Sequence, residues 1–150
     1  MIKDLENAIG YRFQNISLLQ NALAHSSYAN ERWHDSLKSN ERLEFLGDSV
    51  LGFVTAEFLF ARHPDLPEGD LTRIRAALVC EKSLAELAQK MDLGSGLKLG
   101  RSETMSGGSR KNSVLADTFE AVLGAIFLDG GIETAKKWTF DVFGDRIEKI

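Results

Sequence analysis

The apolar positions of this chain recur every three or four residues, the spacing of one helix face, and not at the alternate positions of a strand. The pattern therefore predicts an all-α fold in which the helices pack around one core. Ser17 and Thr72 are expected to cap helix starts, and His63-Pro64 is expected to end the longest helix. The predicted helices cover residues 2–9, 16–23, 40–62, 72–79, 81–91, 112–128 and 132–149.

Polar and glycine-rich stretches separate these helices. Residues 30–39 predict a loop or a frayed segment, and residues 64–70 predict a turn-rich link. Residues 93–110 contain five glycines, too many for a helix, and so predict a long loop. The pair Gly130-Gly131 is expected to break the helical pattern before the last helix.

Composition places the chain among ordinary soluble globular proteins, with 43% apolar and 27% charged residues. We expect residues 1–150 to form one domain, because this length supports a core of its own. No apolar run is long enough to cross a bilayer, and the first residues lack the apolar segment of a signal peptide. The single cysteine, Cys80, excludes an intrachain disulfide and a cysteine-rich zinc site, and we expect a buried thiol in a reducing cytosol.

The start of the longest predicted helix carries three acids on one face. Glu41, Glu44 and Asp48 are spaced i, i+3 and i+7. Two unit charges about 4 Å apart repel by roughly 4 kcal/mol at an effective dielectric of 20, so either the acids splay into water or a cation lies between them. Taken alone, the stripe is more typical of a solvated face that Arg42 helps to neutralise. Gly47 costs this helix about 1 kcal/mol relative to alanine, and a glycine there permits close approach by another backbone.

A second pair of acids lies on a helix that is otherwise apolar. Asp117 and Glu120 are one turn apart within the mostly apolar residues 114–127, and a helix apolar over most of its circumference is buried. Buried acids need partners. A salt bridge to Arg73 or Arg75 is one solution, and a hard cation such as Mg²⁺ or Mn²⁺, shared with the first acidic helix, is the other. A histidine-based metal site is not expected, because the three histidines lie outside both acidic helices.

Together these segments resemble the endonuclease domain of the ribonuclease III family. The resemblance covers essentially the whole chain, with the motifs in the family order. Ala24 stands where threonine is common in the family. The matching segments are residues 23–28 (LAHSSY), 40–50 (NERLEFLGDSV), 68–76 (EGDLTRIRA) and 113–121 (SVLADTFEA).

The resemblance implies a cytoplasmic endonuclease of double-stranded RNA, acting as a homodimer without a membrane partner. It also implies one Mg²⁺-dependent site per subunit, at which Mn²⁺ substitutes. Asp48 and Glu120 match catalytic acids of the family. The implied metal ligands are Glu44, Asp48, Asp117 and Glu120. A metal held by these carboxylates activates water and offsets the charge of the transition state. The implied products carry a 5′-phosphate and a 3′-hydroxyl, as in the processing of ribosomal and other RNA.

Three further residues match family positions around the site. Glu41 and Glu68 match supporting acids near the RNA, although local chemistry alone assigns Glu68 to the favourable N-terminal end of a helix dipole. Phe45 matches an aromatic residue that inserts into the partner subunit. An ordinary core phenylalanine is the alternative for Phe45.

The net charge of −4 argues against a general nucleic-acid binder. Removing the six matched acids from the 22 Asp and Glu leaves 16 against 18 Lys and Arg, a balance of +2. Arg101, Arg110 and Lys111, in or near the glycine-rich segment, are candidate phosphate contacts, although a solvated loop charge is the commoner role for each. Duplex RNA would be recognised by its A-form shape and 2′-hydroxyls.

Family members commonly carry a C-terminal double-stranded RNA-binding domain, and this chain stops at Ile150. We therefore expect the chain to be part of a longer protein and to bind RNA weakly, in a salt-sensitive manner. Two alternatives remain open at this stage. One is a non-catalytic dimerisation or RNA-binding module with the same fold, and the other is an unrelated helical scaffold whose acids are solvated.

Overall fold

The computed structural model describes residues 2–148, and within that range the chain is helical with no β-strand. A single bridge pairs Ala24 with Lys98. The all-α prediction is therefore confirmed. The helices of this range are α1 Ile2–Ile9, α2 Ile16–Ala22, α3 Ser26–Trp33, α4 Glu41–Arg62, α5 Glu68–Val79, α6 Glu81–Lys90, α7 Leu93–Gly96, α8 Arg101–Met105, α9 Asn112–Phe143 and α10 Asp145–Glu148, with short 3₁₀ turns at Ser36–Lys38 and Gly108–Arg110.

Helices α4 and α9 form the centre of the fold, and α2, α5 and α6 pack around them. The core contains fully buried side chains from several of these helices, among them Leu19, Leu51, Leu87 and Phe119. Such side chains contribute about 1.5–3 kcal/mol each when they leave water. The pair α4 and α9 therefore forms a rigid support for any side chain at its edge.

The starts of three helices differ from the prediction. The side chain of Asn15, not Ser17, caps α2 by accepting a hydrogen bond from the Ser17 backbone N–H at 3.2 Å. Helix α3 begins after His25, whose side chain caps it, and covers residues 30–33 at the start of the segment predicted to be a loop. Helix α5 begins at Glu68, four residues before Thr72, after an extended Pro67. Proline is compatible with a helix start because the first N–H groups have no partner within the helix.

The glycine-rich segment is folded rather than a plain loop, since it contains α7, α8 and a 3₁₀ turn. The expected break at the glycine pair is present as a kink inside α9, where Gly131 has φ +87°. Only glycine adopts this conformation at no steric cost. The final long helix ends at Phe143 and not near 149, because Gly144 with φ +47° stops it. Residue 149 lies outside the described range.

Cys80 is exposed at the junction of α5 and α6, so the prediction of a buried thiol was wrong. The residue occupies the N-cap position of α6 in an extended conformation and makes no capping hydrogen bond through its side chain, and a residue at a helix boundary lies at the surface more readily than one on a core face. Across residues 2–148, every helix is too short or too polar to traverse a membrane.

Candidate metal centre

The candidate site is built by a close crossing of α4 and α9. A Cβ atom on Gly47 would lie 1.7 Å from the carbonyl oxygen of Glu120 and 3.1 Å from the N atom of Gly124. A Cβ on Gly124 would lie 2.4 Å from the carbonyl oxygen of Leu43. The two backbones are therefore in direct contact, and only residues without side chains permit it. The crossing therefore brings the acids near Gly47 on α4 next to the acids near Gly124 on α9.

Three carboxylates meet at this crossing. Glu44 from α4 and Asp117 and Glu120 from α9 each offer an oxygen, and these oxygens all lie within 4.8 Å of one another. About 4.2 Å separates opposite oxygen ligands of an octahedral Mg²⁺, since each bond is about 2.1 Å long. An all-oxygen, anionic set of this size fits a hard divalent cation.

Burial strongly favours the neutral forms of these acids. It is the largest cause that raises the pKa of Glu44 to about 7 and that of Glu120 to about 9. Burial also raises the pKa of Asp117. Neighbouring acids raise the pKa of Glu44 and Glu120 further, because Glu44 donates a hydrogen bond to Asp117 and Glu120 donates one to Asp48, whereas accepting from Glu44 lowers the pKa of Asp117. Shared protons thus relieve the repulsion of these carboxylates when no cation is bound, and a divalent cation would displace the protons.

The two remaining acids of the α4 stripe lie at the margin of the cluster. Asp48 is exposed and contacts the carboxyl of Glu120, but it does not belong to the group of three. Glu41 is also exposed, and its charge raises the pKa of Glu44 and Asp117. Of the three acids on this face of α4, Glu44 therefore belongs to the carboxylate cluster, and Glu41 and Asp48 lie beside it.

The salt-bridge alternative for the acids of α9 is not supported. Arg73 pairs with Asp70, its neighbour on α5, and among residues 2–148 no ion pair joins a basic side chain to Asp117 or Glu120. Two half-buried acids without a basic partner are costly to keep ionised. Shared protons or a bound cation, and not a basic side chain, therefore offset the charge of these acids.

Glu68 does not join the cluster within this chain. It lies in the first turn of α5, where Thr72 donates a hydrogen bond to it, and it lines a groove with Leu59 and Phe60 near the opposite end of α4. Sixteen helical residues separate Glu44 from Phe60, or about 24 Å. The position is consistent with the expected role of Glu68 at a helix N-terminus.

Phe45 is not a core residue, because 78% of its surface is exposed. Phe53 and Phe60 are also exposed on α4, by 54% and 76%. These three side chains follow one another at intervals of eight and seven residues, and so form a stripe along one face of the helix. We call Phe45, Phe53 and Phe60 the phenylalanine stripe.

The candidate phosphate contacts differ in their availability. Lys111 donates to Glu103 at 2.7 Å and to Ser106 at 3.3 Å, so it stabilises the glycine-rich segment. The side chains of Arg101 and Arg110 are exposed. These two arginines are therefore better placed than Lys111 to contact a phosphate.

Two residues near the cluster had no role in the sequence-based site. Glu81, at the start of α6, raises the pKa of Asp117, whereas His25 lowers it. The His25 Nδ1 is held by Ser27, through the backbone N–H at 3.1 Å and a contact with the hydroxyl at 2.8 Å. His25 belongs to the matching segment at residues 23–28, but that match did not predict that His25 lies near Asp117. No sequence signal placed Glu81 near Asp117, because their electrostatic interaction depends on the packing of α6 against α9.

Comparison with known proteins agrees with this arrangement. A family model described as Ribonuclease-III-like matches residues 15–145. Ribonuclease 3 of Symbiobacterium thermophilum is 54% identical over 141 residues, which are 94% of this chain and 59% of that protein. The chain spans between 59% and 65% of the length of three such curated relatives.

Solved structures show the same fold. The nuclease domain of ribonuclease III from Campylobacter jejuni superposes with a TM-score of 0.89 and 40% identity, covering 99% of this chain and 97% of that one. A second structure of that domain, concerned with structural flexibility in a region involved in dimer formation, has a TM-score of 0.88 and 42% identity. It covers the same shares of the two chains.

Proposed function

The chain belongs to the ribonuclease-III-like family, and from this membership we propose that it is an endonuclease of double-stranded RNA that depends on a divalent metal. Mg²⁺ is the proposed ion, with Mn²⁺ as a substitute, and the proposed products carry 5′-phosphate and 3′-hydroxyl ends. Processing of ribosomal and other RNA is the corresponding role. The observation that carries the proposal is the meeting of Glu44, Asp117 and Glu120 at the crossing of α4 and α9.

In this proposal Glu44, Asp117 and Glu120 hold the metal. When bound there, a divalent ion would provide Lewis-acid activation of water and offset negative charge on the phosphate. Asp48 lies beside Glu120 and accepts the hydrogen bond that Glu120 donates while it is protonated, and this proton would leave when a cation binds. Glu41, exposed at the margin, keeps the local potential negative and so favours cation uptake over a direct contact with phosphate.

We further propose a homodimer that pairs through the phenylalanine stripe. Exposed phenylalanines in a row are unusual on a monomer and mark an interface. In a two-fold dimer the same surface serves both subunits, so pairing about Phe53 would place Phe45 of one subunit against the other subunit's groove beside Phe60. Glu68 lines that groove. Each metal cluster would then receive Glu68 from the partner, which gives a role to an acid that lies far from the cluster within one protomer.

Cleavage of a defined RNA duplex tests the proposed activity. We expect cutting at low salt with Mg²⁺, none with EDTA, and a loss of at least 100-fold in Glu120→Gln. Glu133→Gln, on the same helix and remote from the cluster, is the matched control and should cut normally. End-labelling of the products checks for 5′-phosphate and 3′-hydroxyl. A wild-type protein that leaves duplex RNA intact at every Mg²⁺ concentration would refute the proposal.

A further inference from the structure

A groove of about 380 Å³ lies between α2 and the segment that joins α3 to α4. It is separate from the acid cluster and from the phenylalanine stripe. Its lining combines polar, aromatic and basic side chains, and none of the described residues that line it is acidic. The side chains that form it include Gln20, Asn21, Trp33, Leu37, Lys38 and Lys98.

The groove carries two lysines available for an anion. Across residues 2–148, neither Lys38 nor Lys98 has a carboxylate within ion-pair distance. The Nζ atom of Lys98 lies 5.9 Å from the ring centroid of Tyr28. The positive charge of the two lysines therefore favours a negatively charged ligand in this groove.

The groove also exposes aromatic and apolar surface beside these charges. Trp33 is 40% exposed and Leu37 is 73% exposed. Tyr28 meets the indole of Trp33 edge-on, with ring planes at 89° and centroids 5.2 Å apart. Tyr28 holds the indole at the rim and leaves part of its surface open. An aromatic ring beside two cations is the combination that proteins use to stack a nucleobase and hold its phosphates.

The groove is connected to the candidate metal centre by short chain segments. Lys38 is followed by Ser39, whose hydroxyl donates to Glu41 at 3.4 Å. Asn21 donates to the carbonyl oxygens of Lys38 and Ser39 at 3.0 and 3.2 Å, which fixes this wall of the groove. The lysine at this wall of the groove is therefore only three residues from Glu41, the first acid of α4.

We propose that the groove binds an unpaired nucleotide of an RNA strand that extends beyond the cleaved duplex. Lys38 and Lys98 contact its phosphates, and Trp33 stacks on its base. The bases of an A-form duplex are stacked on one another, so only an unpaired nucleotide offers a free face to the indole. The inference rests on the proposed double-stranded RNA substrate and adds a preference for duplexes that carry single-stranded flanks.

Binding of blunt and flanked duplexes to the 150-residue chain tests this inference. Fluorescence anisotropy in EDTA at low salt avoids cleavage. We expect a four-nucleotide flank to tighten binding by at least about fivefold. Trp33→Ala should remove this preference and leave the Kd for the blunt duplex unchanged, and Trp33→Phe should retain most of it. Joint replacement of Lys38 and Lys98 by Gln should lower the salt slope for flanked RNA by about 2. Lys137→Gln, on α9 beyond the kink, is the matched control.

Tryptophan emission gives a second, direct readout. The chain has two tryptophans, and Trp138 is only 4% exposed, so a single-stranded oligonucleotide should quench Trp33 selectively. Equal affinities for blunt and flanked duplexes, or an equal weakening of both in Trp33→Ala, would overturn the inference and leave the endonuclease proposal intact. Flank preference and quenching without Mg²⁺-dependent cleavage would retain the groove and remove the endonuclease proposal. An unquenched Trp33 would likewise overturn the inference.

Discussion

Gly47 and Glu120 are in backbone contact, since a Cβ on the glycine would lie 1.7 Å from the carbonyl oxygen of the glutamate. The contact fixes the separation of α4 and α9 at the level of the acids. The contact therefore explains why α4 has a glycine in its interior, where glycine costs about 1 kcal/mol relative to alanine. The metal centre depends on this contact, because Glu44 and Glu120 belong to different helices.

Gly47→Ala should destabilise the fold by about 3 kcal/mol or more, because the methyl group meets backbone that cannot turn away. Denaturant unfolding measures the change. Gly69→Ala is the control, since nothing lies within 4 Å of its Cβ position and it is also helical. It should be neutral or slightly stabilising. Equal effects of the two substitutions would contradict the role given to the crossing.

Stability without metal should fall as the pH rises from about 5 to 9. The pKa of Glu44 is raised to about 7 and that of Glu120 to about 9, each from an ordinary value of 4.5. The folded protein then binds more protons than the unfolded chain across this interval, so the free energy of unfolding decreases with pH. Thermal unfolding in EDTA measures the slope. Glu120→Gln should flatten it, whereas Glu133→Gln should not. A slope unchanged by Glu120→Gln would argue against a proton on this carboxyl.

Mg²⁺ or Mn²⁺ should raise the unfolding temperature, and more at pH 8 than at pH 5, because protons and metal compete for the same carboxylates. Glu120→Gln should lose most of this rise. Asp48→Asn should keep a larger part of it while losing cleavage, since Asp48 lies outside the group of three. Calorimetric titration with Mn²⁺ checks both variants. Complete loss of binding in Asp48→Asn would make Asp48 a direct ligand.

Phe45→Ala should shift the protein from dimer to monomer, because it removes a large exposed anchor from the phenylalanine stripe. Sedimentation velocity across a concentration series measures the change, and circular dichroism checks that the helices persist. Leu128→Ala removes a 54% exposed apolar side chain from α9 and serves as the control. A wild-type chain that is monomeric at high concentration would refute the dimer.

Mixing two inactive variants should restore cleavage if Glu68 acts across the dimer. Glu68→Gln and Glu44→Gln homodimers each lack one acid in both sites. After subunit exchange, half of the dimers are mixed and contain one complete site, so about a quarter of wild-type activity should return. Activity that stays at the level of the separate variants would place Glu68 outside the partner's site.

Periodicity and motif spacing in the sequence determined much of this protein. Local sequence patterns do not depend on how the helices pack. They predicted the helical class, the span of α4, the acids of α4 and α9, and the family. Local chemistry was less reliable at helix ends. Ser17 and Thr72 were expected to cap helix starts, but Asn15 caps α2 and α5 begins four residues before Thr72. A capping histidine begins α3, whose end extends into the segment expected to be a loop.

Tertiary structure alone decided which residues meet. The spacing of Glu41, Glu44 and Asp48 placed them on one face but did not distinguish them, and only the crossing at Gly47 selects Glu44 as the member that joins Asp117 and Glu120. The burial that raises the pKa of these acids likewise comes from contacts between helices distant in sequence. Periodicity describes one helix at a time, whereas the positions of charges in three dimensions depend on how closely two helices pack.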